Sequence, residues 1–259
     1  MDQLLVRRGL AESRHKARAM IMAGQVSVGG LTIDKPGRSV PVDAEINVAP
    51  AGPPFVSRGG LKLDAALEAF SIDVAGKVIL DVGASTGGFT DCLLQRGAAR
   101  VLAVDVGYGQ LDWKLRQDPR VRVLEKTNIR HLTPEALGEY AQGAVIDVSF
   151  ISLRLVVPQV IRLLRPDRPF VAALVKPQFE VGRGQVGKGG VVRDPVLHRT
   201  VLEGLSAFFE ERGWRVRREI PSPIPGPKGN REFLVHLEPG PPSDPSGDWD
   251  QDRPPARRP

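Results

Sequence analysis

The sequence predicts an α/β protein: a doubly wound, mostly parallel sheet of seven strands with an antiparallel element at one edge, preceded by a small α+β unit. Three observations carry this reading. From Phe55 onward, apolar strand-like runs alternate with segments of helical period. The last two runs have no helix between them, which implies an antiparallel pairing at one end of the sheet. A breaker cluster, Pro50-Ala51-Gly52-Pro53-Pro54, separates that texture from the first 49 residues.

The small unit reads as two helices and three strands. Leu4, Leu5 and Val6 start a short helix that Gly9 ends; Ser13 caps a second, with Ala17, Met20 and Ile21 as its apolar face and Gly24 as its stop. Strands Gln25–Val28 and Leu31–Ile33 flank a Gly29-Gly30 turn, and Glu45–Val48 closes the unit. Beyond the breaker cluster, strands are expected at Val78–Val82, Val101–Val106, Val121–Leu124, Ala144–Val148 and Phe170–Val175. Helices fall between them at Gly88–Arg96, Leu111–Arg116, Pro134–Tyr140 and Leu153–Leu164. Thr133-Pro134-Glu135 and Asp194-Pro195 are good helix starts. The helix Pro195–Arg212 leads to strands Arg215–Ile220 and Glu232–Leu237. The boundaries implied are 1–50 for the small domain, 51–57 for a linker, 58–238 for the large domain and 239–259 for a tail. That tail holds 7 of the 23 prolines without apolar periodicity and reads as disordered.

Composition narrows the function classes. The 259 residues carry 36 Lys+Arg against 30 Asp+Glu, a net charge of +6 that favours a polyanionic partner. Aromatics are only 5%, so a nucleic-acid surface would work more through charge and shape than through stacking. One cysteine, Cys92, excludes an intrachain disulfide and a cysteine-built zinc site, and the four histidines show no ligand spacing, so no metal is expected. No apolar run reaches a membrane span and no signal peptide is visible, which reads as a soluble, cytoplasmic protein without a membrane partner.

The run DVGASTGGFTD, residues 81–91, comes after a strand and opens a helix, the context in which a glycine loop lets a ligand approach backbone N–H groups. Asp105 ends the next strand, 22 residues beyond Gly83, where an acid binds ribose hydroxyls. The spacing is not that of dinucleotide enzymes, and no Gly-Lys-Ser/Thr grips a phosphate. Asp81 at the loop mouth would repel pyrophosphate and suit a cation. S-adenosylmethionine, with an ammonium, a sulfonium and no phosphate, fits best, and the loop with its strand pattern resembles the Rossmann-like methyltransferases that use it. Candidate cofactor contacts are Asp81, Gly83, Ala84, Ser85, Gly87, Gly88, Asp105, Val106, Thr127, Asn128 and Asp147.

The residues after the fourth strand narrow the methyl acceptor. Asp147-Val148-Ser149-Phe150 lacks the two prolines of exocyclic-amine methyltransferases. Pyrimidine carbon methylation needs a thiolate, and Cys92 sits on the helix behind the glycine loop. Oxygen methylation of a ribose remains; a 2′-hydroxyl needs a base and in-line placement, and a lysine can be that base. Lys62, Asp147, Lys176 and Glu232 match, in type and order, the Lys-Asp-Lys-Glu tetrad of the FtsJ/RrmJ ribose 2′-O-methyltransferases. The chain resembles the TlyA family more closely still, in which such a domain comes after an S-four-like RNA-binding domain. The resemblance rests on LLVRRGLAESRHKARAMIMAGQVSVGG, VSRGGLKLDAAL, DVGASTGGFTD, IDVSFISL, VKPQFE and GNREFL.

That resemblance implies S-adenosylmethionine-dependent 2′-O-methylation of cytidine in ribosomal RNA, of the large subunit and in some members also the small one, with ribosomal RNA or subunits as partner. Lys176 would be the base, Lys62 would ease its deprotonation or hold the ribose, Asp147 would orient Lys176, and Glu232 would complete the network. Phosphate contacts are expected from Arg7, Arg8, Arg14, Lys16 and Arg18, opposed locally only by Glu12, with Arg58, Arg183 and Lys188 extending the track. Family linkers often carry a tryptophan just before VSRGG, where this chain has Phe55. The alternatives are a non-catalytic ribosome-assembly factor that keeps the fold, and a membrane-active protein as the family's haemolysin label suggests.

Overall fold

The computed structural model describes residues 1–22, 24–48, 54–182, 184–187 and 189–240. The chain divides into two compact units, Met1–Pro54 and Phe55–Pro259. The linker positions 51–53, Arg183, Lys188 and nearly all of the proline-rich tail lie outside the described residues.

In the first unit, helices α1 (Asp2–Arg7) and α2 (Arg14–Met22) precede strands β1 (Val26–Val28), β2 (Leu31–Thr32) and β3 (Ile46–Val48), in sheet order β2-β1-β3. Ser13 Oγ accepts from the Lys16 N–H at 3.2 Å, the expected cap. The β1–β2 hairpin turns through Gly29 and Gly30, both at positive φ as its two-residue turn requires. Leu5, Ala17, Ile21, Val26 and Ile33 close its core.

The second unit begins with α3 (Gly59–Phe70), followed by β4 (Val78–Val82), α4 (Gly88–Gln95), β5 (Arg100–Val104), α5 (Trp113–Arg116) and β6 (Val121–Leu124). After a 3-10 turn at Ile129–His131 come α6 (Pro134–Leu137), β7 (Gly143–Ile146), α7 (Leu153–Ile161), β8 (Phe170–Val175), α8 (Pro177–Glu180) and α9 (Pro195–Glu210). Strand β9 (Trp214–Pro221), a 3-10 turn at Pro227–Gly229 and β10 (Phe233–Pro239) complete it. Asp112, Thr133, Ser152 and Asp194 each cap a helix through a side-chain oxygen.

The sheet order is β6-β5-β4-β7-β8-β10-β9. The first five strands are parallel, and β10 is antiparallel to both its neighbours, so the one reversed strand is inserted beside β8 and the edge strand β9 runs with the majority. Period-two alternation buries both faces. Leu80, Leu102, Val171 and Ala173 pack with α7 and α9 residues such as Val157 and Phe209. Ile79, Val101 and Ala172 pack on the other side with Leu63 and Leu67 of α3 and Leu93 of α4. Strand order reverses at β4, flanked by β5 and β7, and ligands of such sheets bind in the crevice beyond the strand ends at that point.

Phe55 enters this unit as an apolar anchor, buried against the start of α3. A Cβ on Gly60 would lie 2.2 Å from Phe55 Cγ. Gly60→Ala must therefore expel the ring or shift the helix, and it should cost about 1–3 kcal/mol in urea unfolding, as overpacking does.

Candidate active site

Four chain segments converge beyond the C-terminal ends of β4, β7 and β8. The loop after β4 leaves Val82 through Gly83 at φ 86°, where a Cβ would stand 2.5 Å from the Asp147 carbonyl oxygen. Only glycine permits that approach between the ends of two adjacent parallel strands. The loop is pinned by Gly83 and Ala84 N–H groups donating to Val104 O and by the Ser85 N–H donating to Asp105 Oδ2 at 2.8 Å. Asp105 Oδ1 accepts from the Gly107 N–H at 2.7 Å. A carboxylate offers about four acceptor positions, so Asp105 keeps capacity for hydroxyl donors.

A cleft of about 320 Å³ opens here, within the range of small-molecule sites. Gly83, Ala84, Ser85, Thr86 and Gly88 line one side, and Arg58, Lys62, Asp147, Ser149, Lys176 and Glu232 line the rest with the wall Ile224–Pro227. Lys62, on the first turn of α3, donates to Glu232 Oε2 at 2.5 Å across 170 positions of sequence. Lys176, the residue after β8, stands 2.6 Å from Asp147 Oδ1 and donates to Ser149 Oγ at 2.9 Å. Both lysines are buried, 8% and 9% exposed, and Glu232 is 2% exposed with its Oε1 lacking a hydrogen-bond partner among the described residues. A buried ammonium without a carboxylate would be strongly destabilising, so each pair exists as a unit. Arg58 is exposed at the rim.

Several expected contacts are placed differently. Asp81 is not at the loop mouth: it is 0% exposed on β4, beneath the loop, and accepts from Thr90 Oγ1 at 2.6 Å. The acids that line the cleft are Asp147 and Glu232. Gly87 turns away, since its Cβ would meet Leu115 at 2.3 Å. Val106 is exposed, and neither it nor Asp105 is among the residues that line the cleft. Thr127 Oγ1 donates to the Glu125 carbonyl, and Asn128 Oδ1 accepts from the Arg130 N–H; both side chains serve their own turn. Ser152 caps α7. Glu232 sits just before β10 rather than in it. Cys92 is buried, and its surroundings push the thiol up to about 12, which agrees with a packing role.

The basic helix face is partly committed within its own unit. Arg8 donates to the Ala44 and Val42 carbonyls, Arg14 pairs with Asp2 at 3.2 Å, and Lys16 pairs with Glu12 at 2.8 Å. Arg7 and Arg18 are exposed and make no such contact among the described residues.

Two residues emerge here to which the sequence motifs assign no role. Ser149 holds Lys176, and Phe150, 90% exposed at φ 62°, presents its ring 4.9 Å from that of Phe179. Both lie within IDVSFISL, but a left-handed backbone at a phenylalanine has no residue-type signal. A chain so poor in aromatics gives no reason to expect a stacking platform.

Asp81 has a consequence for stability. Burial first, and then the charges of Asp147 and Asp105, push its carboxyl up to about 7 against the Thr90 hydrogen bond. Between the ordinary carboxylate range and about pH 7, the folded chain holds a proton that the unfolded chain has lost. The contribution is therefore full below that range and disappears as pH rises through about 7. Asp81→Asn, which keeps the acceptor for Thr90, should flatten this decline; urea unfolding of both proteins at pH 5 and pH 8 measures it.

The second unit matches the FtsJ-like methyltransferase family over residues 55–238, and the first matches the S4 domain over residues 1–46. The chain is 52% identical over 238 residues to the 16S/23S rRNA (cytidine-2′-O)-methyltransferase TlyA of Mycobacterium tuberculosis, covering 92% of this chain and 88% of that protein. A solved structure from Streptococcus thermophilus, provisionally named a hemolysin, is 47% identical with a TM-score of 0.70, covering 92% of this chain and 87% of that one. A Listeria monocytogenes structure provisionally named an S-adenosylmethionine-dependent methyltransferase shares the fold at 18% identity and a TM-score of 0.50, over 71% of this chain and 99% of that one. The chain thus belongs to the FtsJ-like methyltransferases, in the TlyA family that joins such a domain to an S4 domain.

Proposed function

We propose that the chain transfers a methyl group from S-adenosylmethionine to the 2′-hydroxyl of a cytidine in ribosomal RNA. The observation that carries this reading is the pair of buried lysine–carboxylate contacts in one cleft with the glycine loop. When bound, S-adenosylmethionine supplies an electrophilic methyl on a sulfonium, so the residues need only place and deprotonate the acceptor. Gly83, Ala84, Ser85 and Gly88 would hold the donor along the loop, with Asp105 receiving ribose hydroxyls. Lys176, in its neutral form, would take the proton from the 2′-hydroxyl, its Nζ aimed by Asp147 and Ser149. Lys62 and Glu232 would fix the target ribose, the free Glu232 Oε1 accepting from a hydroxyl. Phe150 offers a face for the base of a nucleotide turned out of its stack.

Arg7 and Arg18 on the S4 domain, with Arg58 at the rim, would attract the phosphate backbone. Arg183 and Lys188, which lie outside the described residues, remain candidates from the sequence. No described helix is long and apolar enough to cross a membrane, and the reading puts the enzyme in the cytoplasm, where ribosomal RNA is.

The test is transfer from labelled S-adenosylmethionine to unmodified ribosomal RNA and isolated subunits. The wild type should leave an alkali-resistant nucleotide linkage, and Lys176→Ala should lose about 100-fold or more in rate, the contribution of a positioned base. Lys176→Ala at the wild-type rate would remove Lys176 as the base, and no transfer by the wild type with cofactor binding intact would favour the assembly-factor alternative. A second expectation concerns affinity: Arg7→Ala with Arg18→Ala should weaken RNA binding whatever the sequence and reduce the slope of log K against log salt by about 1 per arginine. An unchanged slope in filter binding would remove those residues from the interface.

A further inference from the structure

The chemistry proposed for the cleft uses only part of IDVSFISL and VKPQFE: it takes Asp147, Ser149, Phe150 and Lys176 and leaves Ser152, Phe179 and Glu180 without a task. In the structure the two segments are joined at three places. Lys176 meets Asp147 at 2.6 Å and Ser149 at 2.9 Å. The rings of Phe150 and Phe179 stand 4.9 Å apart. At the far end, Glu180 Oε2 accepts from Ser152 Oγ at 2.6 Å and Glu180 Oε1 accepts from the Leu153 N–H at 2.8 Å.

The loop between β7 and α7 needs such support. Residues 148–151 make no backbone hydrogen bond among the described residues. Phe150 is held at φ 62°, a conformation unfavourable for a bulky side chain that persists only where the surroundings enforce it. One end of the loop is fixed by the Asp147 N–H donating to Val82 O at 2.9 Å. The other end is fixed by Glu180, the last residue of the single-turn helix α8 whose N-cap is Lys176 itself. Within that turn the Phe179 N–H donates to the Lys176 carbonyl at 2.9 Å, so the grip and the lysine move as one piece. Ser152 already caps α7 through the Arg154 N–H at 3.1 Å, so Glu180 is not needed merely to start that helix.

We propose that Glu180 is a positioning residue for methyl transfer: by gripping Ser152 and Leu153 it sets the loop that presents Asp147, Ser149 and Phe150 to Lys176, an inference that rests on the proposed methyltransferase function. It touches neither the cleft nor a reacting atom, and it acts through the geometry at Lys176.

Four proteins test it: the wild type, Lys176→Ala, Glu180→Ala and Glu180→Gln. Single-turnover methyl transfer to unmodified subunits, binding of labelled S-adenosylmethionine and thermal melting are measured on each. Glu180→Ala should slow transfer about 100-fold, the effect of a misplacement near 1 Å, while donor binding and melting stay at wild-type values. Glu180→Gln should recover most of the rate, because its amide oxygen accepts from the Leu153 N–H and its NH2 donates to the Ser152 hydroxyl. If Glu180→Ala melts early, Ser152→Ala takes its place, removing one bond of the same grip, and slowed transfer with intact donor binding is again expected. An active wild type with a fully active alanine variant, or a folded glutamine variant as slow as alanine, overturns the assignment alone. A wild type inactive on every form of ribosomal RNA, with cofactor binding intact, overturns the functional reading and this one with it.

Discussion

Two ammonium groups buried in one cleft are the constraint around which this site is organised. Neither lysine could stay charged there alone, because removing an ion from water costs several kcal/mol unless an opposite charge sits beside it. The structure meets that demand by bringing Glu232 to Lys62 and Asp147 to Lys176. The four residues lie at the start of α3, after β7, after β8 and before β10, so their meeting depends on sheet order. The reversed strand β10 pairs with β8 through Phe233 and Val175, which puts Glu232 and Lys176 at neighbouring ends of adjacent strands. A parallel crossover into that position would have put Glu232 at the opposite end of the sheet.

The same convergence explains the glycine loop. With β4 and β7 adjacent and parallel, the chain leaving β4 passes directly against the Asp147 carbonyl, and Gly83 is the residue that lets it through. Asp81 lies beneath that crossing with Thr90 as its hydrogen-bond donor, and burial first, then the charges of Asp147 and Asp105, raise its proton affinity. A cluster of carboxylates around a glycine loop suits a cationic ligand, and it costs the protein stability as the acids ionise. Binding and stability pull in opposite directions at this one strand end.

How much is legible in the sequence depends on the range of each signal. Strands β4, β6 and β8 fall on the residues their apolar runs indicate, and Ser13, Thr133 and Asp194 cap the helices they precede, because period and caps are local properties. The tetrad is visible as types in order, and the sheet brings its members together in pairs. The resemblance implies one pairing, Asp147 with Lys176, and gives Glu232 only a place in a network; the fold puts Glu232 on Lys62. Asp81, Gly87, Thr127 and Asn128 are placed differently from expectation because position along a strand or turn does not fix which neighbour a residue faces. Thr127 and Asn128 turn to backbone groups two residues away and Asp81 turns to Thr90, while the space beside Gly87 is taken by Leu115, 28 positions on. Phe150 and Glu180 are hidden further, since a strained φ and a grip across 27 or 28 residues leave no mark on composition.

By formal charge the tetrad sums to zero: two lysines against one aspartate and one glutamate. A neutral constellation can orient a ribose and move its proton, but it adds little long-range attraction for a polyanion. The net charge of +6 must therefore act elsewhere, and even on the basic helix face part of it is already tied to the chain's own carbonyls and carboxylates. Arg7, Arg18 and Arg58 are exposed and, in the function proposed above, would supply affinity that carries no chemistry. Separating the two has a physical advantage. Lysines already paired with carboxylates add no net charge beside a sulfonium, and exposed arginines would act on the phosphate backbone in a salt-dependent way.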